Sequence, residues 1–131
     1  MKNIYMNPET NNYYVDISVE EWIQILCLPE LRSAPNILDA LEKWYKAPSY
    51  TASCKELAKR YSRDYRYFSV QNRKLGEIAV RHINRFHLIG ANGRETYWAV
   101  AWLEINRNNN VYTLQLRSEL VDAIKQLDLF S

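Results

Sequence analysis

Histidine and cysteine are scarce in this chain, two of each in 131 residues, and their placement closes off most metal and nucleophile chemistry. His82 and His87 lack the four-residue helical spacing of a metal pair, and neither has the neighbouring carboxylate that would make a general base. Cys27, Cys54, His82 and His87 follow one another at intervals of 27, 28 and 5, which no zinc finger or knuckle uses. Three glycines leave no phosphate-cradling loop, and no nucleophile motif is present. A non-catalytic protein without metal or cofactor is expected. Two cysteines make no disulfide framework; both sit in helix-like patterns that suit small buried thiols, with a lowered-pKa thiol at Cys54 as the alternative. No apolar run approaches the roughly 20 residues of a membrane span. The first ten residues also lack the hydrophobic centre of a secretory signal, so the sequence predicts a cytoplasmic protein without membrane contact.

Acidic residues are also scarce, but only in one place. The forty positions from Lys55 to Arg94 hold ten Lys and Arg against Glu56, Asp64 and Glu77, a formal charge of 10 − 3 = +7. Residues 1–54 carry −3 and residues 95–131 carry −2, which restores the overall +2. A segregated basic patch on a nearly neutral chain is the footprint of a surface that meets a polyanion, nucleic acid first among them. The plainer reading is a solvated basic helix face.

The periodicities predict a helix-rich α+β domain. Residues 1–14, rich in Asn and Tyr without a clear period, are expected to be a poorly ordered lead-in, and residues 15–131 a single winged-helix-like domain. Ser18 with Glu21 forms a capping box for a helix stopped by Pro29, and Pro35 opens a second helix that ends at Pro48. Ser53 with Glu56 repeats the box for a short third helix bearing Leu57, Ala58 and Tyr61. A fourth should run from about Tyr65 to His82. Around Leu75, the positions Phe68, Gln71, Asn72, Ile78, Ala79 and His82 gather on a packed side, with His82 expected as a core histidine, while Arg66, Ser69, Val70, Arg73, Glu77 and Arg81 face outward. Tyr97 to Ile105 and Val111 to Leu116 read as strands joined across Asn106 to Asn110, with Tyr112, Leu114 and Leu116 inward, and Phe86 to Ile89 as a short third strand. Ser118 should cap a closing helix. Three helices followed by a β-hairpin is the winged-helix arrangement, here with an added helix before and after.

In that arrangement the fourth helix would enter a DNA groove. Arg66, Ser69 and Arg73 would meet base edges or phosphates, with Arg81 on the same outer face; Lys55, Lys59, Arg60, Arg63 and Lys74 would hold the backbone, and Arg107 at the hairpin tip would touch an adjacent groove. Tyr65 and Tyr67 could contact phosphate or base, or simply pack. Trp98 and Trp102 are expected in the core. A modified base could be read by Val70 against a 5-methyl group or by an aromatic pocket holding a flipped base, and the sequence favours the former. The same surface would equally suit docking of an acidic partner protein.

The run Thr51 to Tyr61 (TASCKELAKRY), the Leu75-Gly76 pair, the Tyr97-Trp98 segment and Leu116 to Ile124 (LRSELVDAI) resemble a small module at the N-terminus of McrB-like modification-dependent restriction proteins. The likeness spans about residues 18–128 and rests on helix and cap patterns, with no catalytic signature. It implies a DNA-facing, target-selecting role beside a GTP-driven AAA+ motor and a separate nuclease. This chain holds neither motor nor nuclease, so GTP hydrolysis does not transfer to it.

Overall fold

The segment expected as a lead-in carries structure. In the computed structural model, which describes residues 1–131, β1 (Lys2–Tyr5) pairs in parallel with residues 86–89, and Tyr13 is buried. The Tyr13 hydroxyl donates to the Ile89 carbonyl at 2.9 Å. Asn12 bonds residue 104 through both ends of its amide, donating to the Glu104 carbonyl at 3.1 Å and accepting from its N–H at 2.7 Å. Arg117, itself buried, donates to the carbonyls of Tyr13 and Ala99. The partners of Asn12 and Tyr13 lie 76 to 104 residues away, beyond the reach of any local period.

Local signals account for the helices. Ser18 and Glu21 form the reciprocal capping box and open α1 (Val19–Leu26), whose Trp22, Ile25 and Leu26 are buried. Pro29 does more than stop that helix, because its fixed φ suits a first turn: it starts α2 (Pro29–Arg32), and Pro35 likewise starts α3 (Pro35–Tyr45). The short strand β2 (Thr51–Ser53) leads into α4 (Cys54–Arg60), again opened by a complete capping box, here Ser53 with Glu56. Next comes α5 (Tyr67–Ile83), ended by Asn84 in the left-handed region. Its packed side holds Phe68, Gln71, Asn72, Leu75, Ile78 and Ala79 as expected, together with Gly76 and Val80. His82 is exposed: it falls in the last turn, past the elements that cover the middle of the helix.

Beyond α5 lie β3 (Phe86–Ile89), β4 (Trp102–Asn108) and β5 (Val111–Leu116), and α6 (Ser118–Leu127) closes the chain. The strand expected from Tyr97 is shorter at its start, since Trp98–Val100 form a 3-10 turn. Gly76 explains the turn's position. A Cβ at Gly76 would sit 2.0 Å from the Tyr97 carbonyl oxygen, so only glycine lets this turn lie against α5. Asn109 and Asn110, both at positive φ, make the two-residue link between β4 and β5. Arg117, not Ser118, is the N-cap of α6; the Ser118 hydroxyl bonds the Glu119 carboxylate instead.

The fold is α+β, six helices with two small sheets: β1 beside β3, and an antiparallel sheet in the order β2-β5-β4. The core centres on Trp44, which meets Trp102 edge-on at 5.3 Å and Phe68 at 6.0 Å, and whose indole N–H donates to the Leu114 carbonyl at 3.0 Å. No helix is long and apolar enough to cross a membrane.

Two outcomes follow. Gly76→Ala should lose about 3 kcal/mol or more in urea unfolding, because a backbone oxygen must move to admit one methyl group; an unchanged midpoint would disprove the close approach. Glu21 accepts from Arg85 at 2.7 Å, and this bond first, with the capping-box bonds to Ser18, outweighs partial burial and lowers its pKa from 4.5 to about 2. Its contribution is therefore present above pH 4.5 and is lost as pH falls towards 2. Glu21→Gln should cost about 1 kcal/mol at pH 6, discounted for the half-exposed pair, and the gap to the parent should close through that acid window.

Candidate functional site

The outward side of α5 does not stand alone. Ser69, Val70 and Arg73 line a groove of about 790 Å³ together with Tyr65, the start of α4 (Ser53, Cys54, Lys55), the segment Glu95 to Trp98 and the hairpin residues Asn110, Val111, Tyr112 and Leu114. Two earlier constraints place these walls. Gly76 admits the Tyr97 backbone against α5, and Trp44 holds β5 through Leu114. The lining is rich in aromatic rings, and cations stand over two of them: the Arg66 guanidinium lies 5.2 Å from the Tyr65 ring and that of Arg107 lies 4.4 Å from the Tyr112 ring.

Of the predicted site residues, Lys55, Tyr65, Ser69, Val70 and Arg73 come together in this groove, with Arg66 and Arg107 on its tyrosines. Lys74 and Arg81 lie elsewhere, lining a smaller cleft of about 340 Å³ with Glu30, Asn36 and Gln71. Lys59 and Arg60 sit exposed on α4. Tyr67 is structural. Its hydroxyl donates to the Asp39 carboxylate at 2.8 Å, and burial, reinforced by that carboxylate, pushes its pKa up to about 12. Arg63 pairs with the same Asp39 at 3.3 Å and lies over the Tyr67 ring. Partial burial alone would raise the Asp39 pKa, but the bonds from Tyr67 and Lys43 prevail and lower it.

The +7 segment is largely paired. Arg60 bonds Glu56, Arg63 Asp39, Arg73 Glu77, Arg81 Glu30, and Arg85 both Asp16 and Glu21. Four of these acids, Asp16, Glu21, Glu30 and Asp39, come from the N-terminal acidic third of the chain, so folding partly neutralises what the sequence segregates. Lys55, Lys59, Arg66, Lys74 and Arg94 make no ion pair. Exposed pairs contribute only about 0 to 1 kcal/mol, so an incoming phosphate can compete for the paired arginines.

Several residues of the groove were not legible as such. Tyr97 and Trp98 read as strand residues, and Tyr112, expected inward, is exposed at the hairpin end. Asn72 was assigned to packing alone, yet an amide on an apolar helix face asks what it bonds. It is 1% exposed, its Nδ2 donates to Cys54 Sγ at 3.7 Å, and its Oδ1 has no partner. Leaving such a group unsatisfied costs about 1 to 3 kcal/mol. His87, which has no carboxylate near it in sequence, meets Glu95 Oε2 through Nδ1 at 2.7 Å at the edge of the groove. Burial pushes the Cys54 thiol up to about 11, opposite to an activated nucleophile, while Cys27 is exposed rather than packed. No group of three or more His, Cys, Asp and Glu residues is arranged to hold a metal ion.

Set against known proteins, the chain matches no family model, no curated protein and no solved structure.

The two tyrosines at the α4–α5 turn should separate on substitution. Tyr67→Phe removes a bond to a carboxylate and should lower stability by about 1 to 2 kcal/mol, whereas Tyr65→Ala, at a position 70% exposed, should leave the unfolding midpoint nearly unchanged. Equal effects of the two in thermal melts would contradict the division of roles.

Proposed function

We propose that this chain is a DNA-recognition domain of winged-helix type serving a modification-dependent restriction or other host-defence system, with duplex DNA, methylated or otherwise modified, as its partner. A motor and a nuclease would be supplied by other subunits, and the domain itself would bind without catalysing. The observation that carries this reading is the convergence of cations, of which Lys55, Lys59 and Arg66 are unpaired while Arg73 and Arg107 pair with Glu77 and Glu104, and exposed aromatic rings on α4, α5 and the groove between them and the hairpin. Phosphate attraction and base stacking call for that combination, whereas a merely solvated basic face has no use for exposed rings.

Support for the winged-helix reading comes from element order. The run α3, β2, α4, α5, then the β4–β5 hairpin, with strands ordered β2-β5-β4, follows the order that a helix-turn-helix with a wing would have. Residues 84–101 form an insertion before the hairpin, α1 and α2 precede the unit, and α6 follows it.

The enclosed mode of base reading gains on the open one. Val70, the residue suited to a 5-methyl group, lines the same groove as Tyr65, Tyr97, Trp98 and Tyr112. A base turned out of the stack would enter a lining that holds both the valine and the rings, and stacking contributes about 1 to 3 kcal/mol per base.

The test is a salt-titrated binding measurement on duplex DNA. With five unpaired cations each taking about one phosphate, the log–log slope should be roughly −4 to −5, at about −0.9 per contact. The double variant Arg66→Ala with Arg73→Ala should weaken binding by more than about 1 kcal/mol while leaving the fold intact, since both side chains are exposed. A flat salt response from a folded protein would refute DNA binding and transfer the surface to an acidic protein partner.

A further inference from the structure

We infer that the smaller cleft between α3 and α5 is a site for one phosphate group, held by free backbone N–H groups of α3, the Gln71 amide and Lys74. On the DNA-recognition reading above, on which the source of that phosphate rests, it is a phosphodiester of the bound duplex. Arg73 lines the groove and Lys74 the cleft, so the two depressions flank the exposed strip of α5 that the duplex would meet.

The start of α3 opens onto this cleft through Pro35, Asn36 and Ile37. Proline has no N–H, no side chain caps the helix, and its first turn holds no acid; the first backbone N–H of the helix to find a partner is that of Leu38, which donates to the Ala34 carbonyl at 3.2 Å. The N–H groups of Asn36 and Ile37 are therefore free. They stand at the positive end of the helix dipole, the arrangement that attracts a phosphate. Gln71 supplies an independent sign. Its side chain comes from the packed side of α5 and is only 7% exposed, yet its amide makes no hydrogen bond within the chain. Neither amide atom is sealed from solvent, and the cleft is the opening that Gln71 lines. An amide buried this deeply is ordinarily bonded, and a ligand oxygen in the cleft would complete it.

The charges of the lining select an anion. Of its two carboxylates, Glu30 is taken by Arg81 at 2.6 Å and Glu77 by Arg73, while Lys74 makes no ion pair. What the cleft has left to offer is donors and one unspent positive charge. A free amide turns its Nε2 to an anion, and an ammonium adds charge-assisted bonding. The same two carboxylates limit which phosphate suits. They repel a dianion about twice as strongly as a monoanion, so a diester, singly charged and with two free oxygens, fits better than a monoester.

The experiment follows the amide signals of the intact chain by NMR. Inorganic phosphate, added against chloride at equal ionic strength, should move the Asn36 and Ile37 backbone signals and the Gln71 side-chain signal saturably. A duplex at low salt should move the same signals together with those of Ser69 and Val70 in the groove. Gln71→Leu should remove the response to phosphate and weaken duplex binding about tenfold, the size of one hydrogen bond to a charged group, at an unchanged salt slope; Lys74→Ala should instead make the slope shallower by about 0.9. These titrations of the parent chain decide the matter even if a variant fails to fold. Cleft signals that respond to phosphate but not to a duplex that moves the groove would overturn the duplex as the source and leave a site for free phosphate. Cleft signals indifferent to both would overturn the inference, and DNA recognition would stand if the groove still responded. A chain that meets no duplex at all would lose the DNA reading, and the phosphate arm alone would then decide the cleft.

Discussion

Trp44 is the contact on which the arrangement of the molecule depends. Its ring lies between Phe68 of α5 and Trp102 of β4, and its indole N–H donates to the Leu114 carbonyl of β5. One fully buried side chain thus joins α3 to the helix and to both strands of the hairpin. Large aromatic rings dominate the energetics of small cores because each removes so much apolar area from water at once. Here the same packing sets the distance between α5 and the hairpin, and that distance is the width of the groove.

The groove and the core therefore make opposite demands on neighbouring residues. Phe68 and Leu75 on the inner side of α5 are fully buried, while Ser69, Val70 and Arg73 one step around the helix line the groove. Asn72 lies on the border. Its buried, unpartnered oxygen is a cost to folding that a better-packed apolar residue would avoid. The basic segment shows a related compromise: half of its ten cations are bonded to acids on the surface, which steadies side chains without removing them from solvent.

Much of the fold was legible because its determinants are local. The boxes Ser18 with Glu21 and Ser53 with Glu56 are fully formed, Pro35 stands at the first turn of its helix, and the Asn-rich stretch supplies the two left-handed residues of the hairpin. The division of α5 into two faces followed from 100° per residue and failed only near its end, at His82. What escaped was set by partners distant in sequence. β1 has no period of its own and exists through its pairing with β3; Trp98 leaves the expected strand because Gly76 admits the turn it belongs to.

The candidate site divides along the same line. Composition and helical period by themselves determined that cations and tyrosines would gather around α4 and α5, and which cations of α5 would face outward, since both depend on residue identity and on a geometry repeated every turn. Whether those side chains would form an open helix face or one side of an aromatic groove, and which cations would meet acids from the first third of the chain, was decided by tertiary structure alone. Contacts such as Arg85 with Glu21 and Asn72 with Cys54 join residues 64 and 18 positions apart. Their geometry is fixed only when the core brings the elements together, and no pattern in the chain encodes that distance.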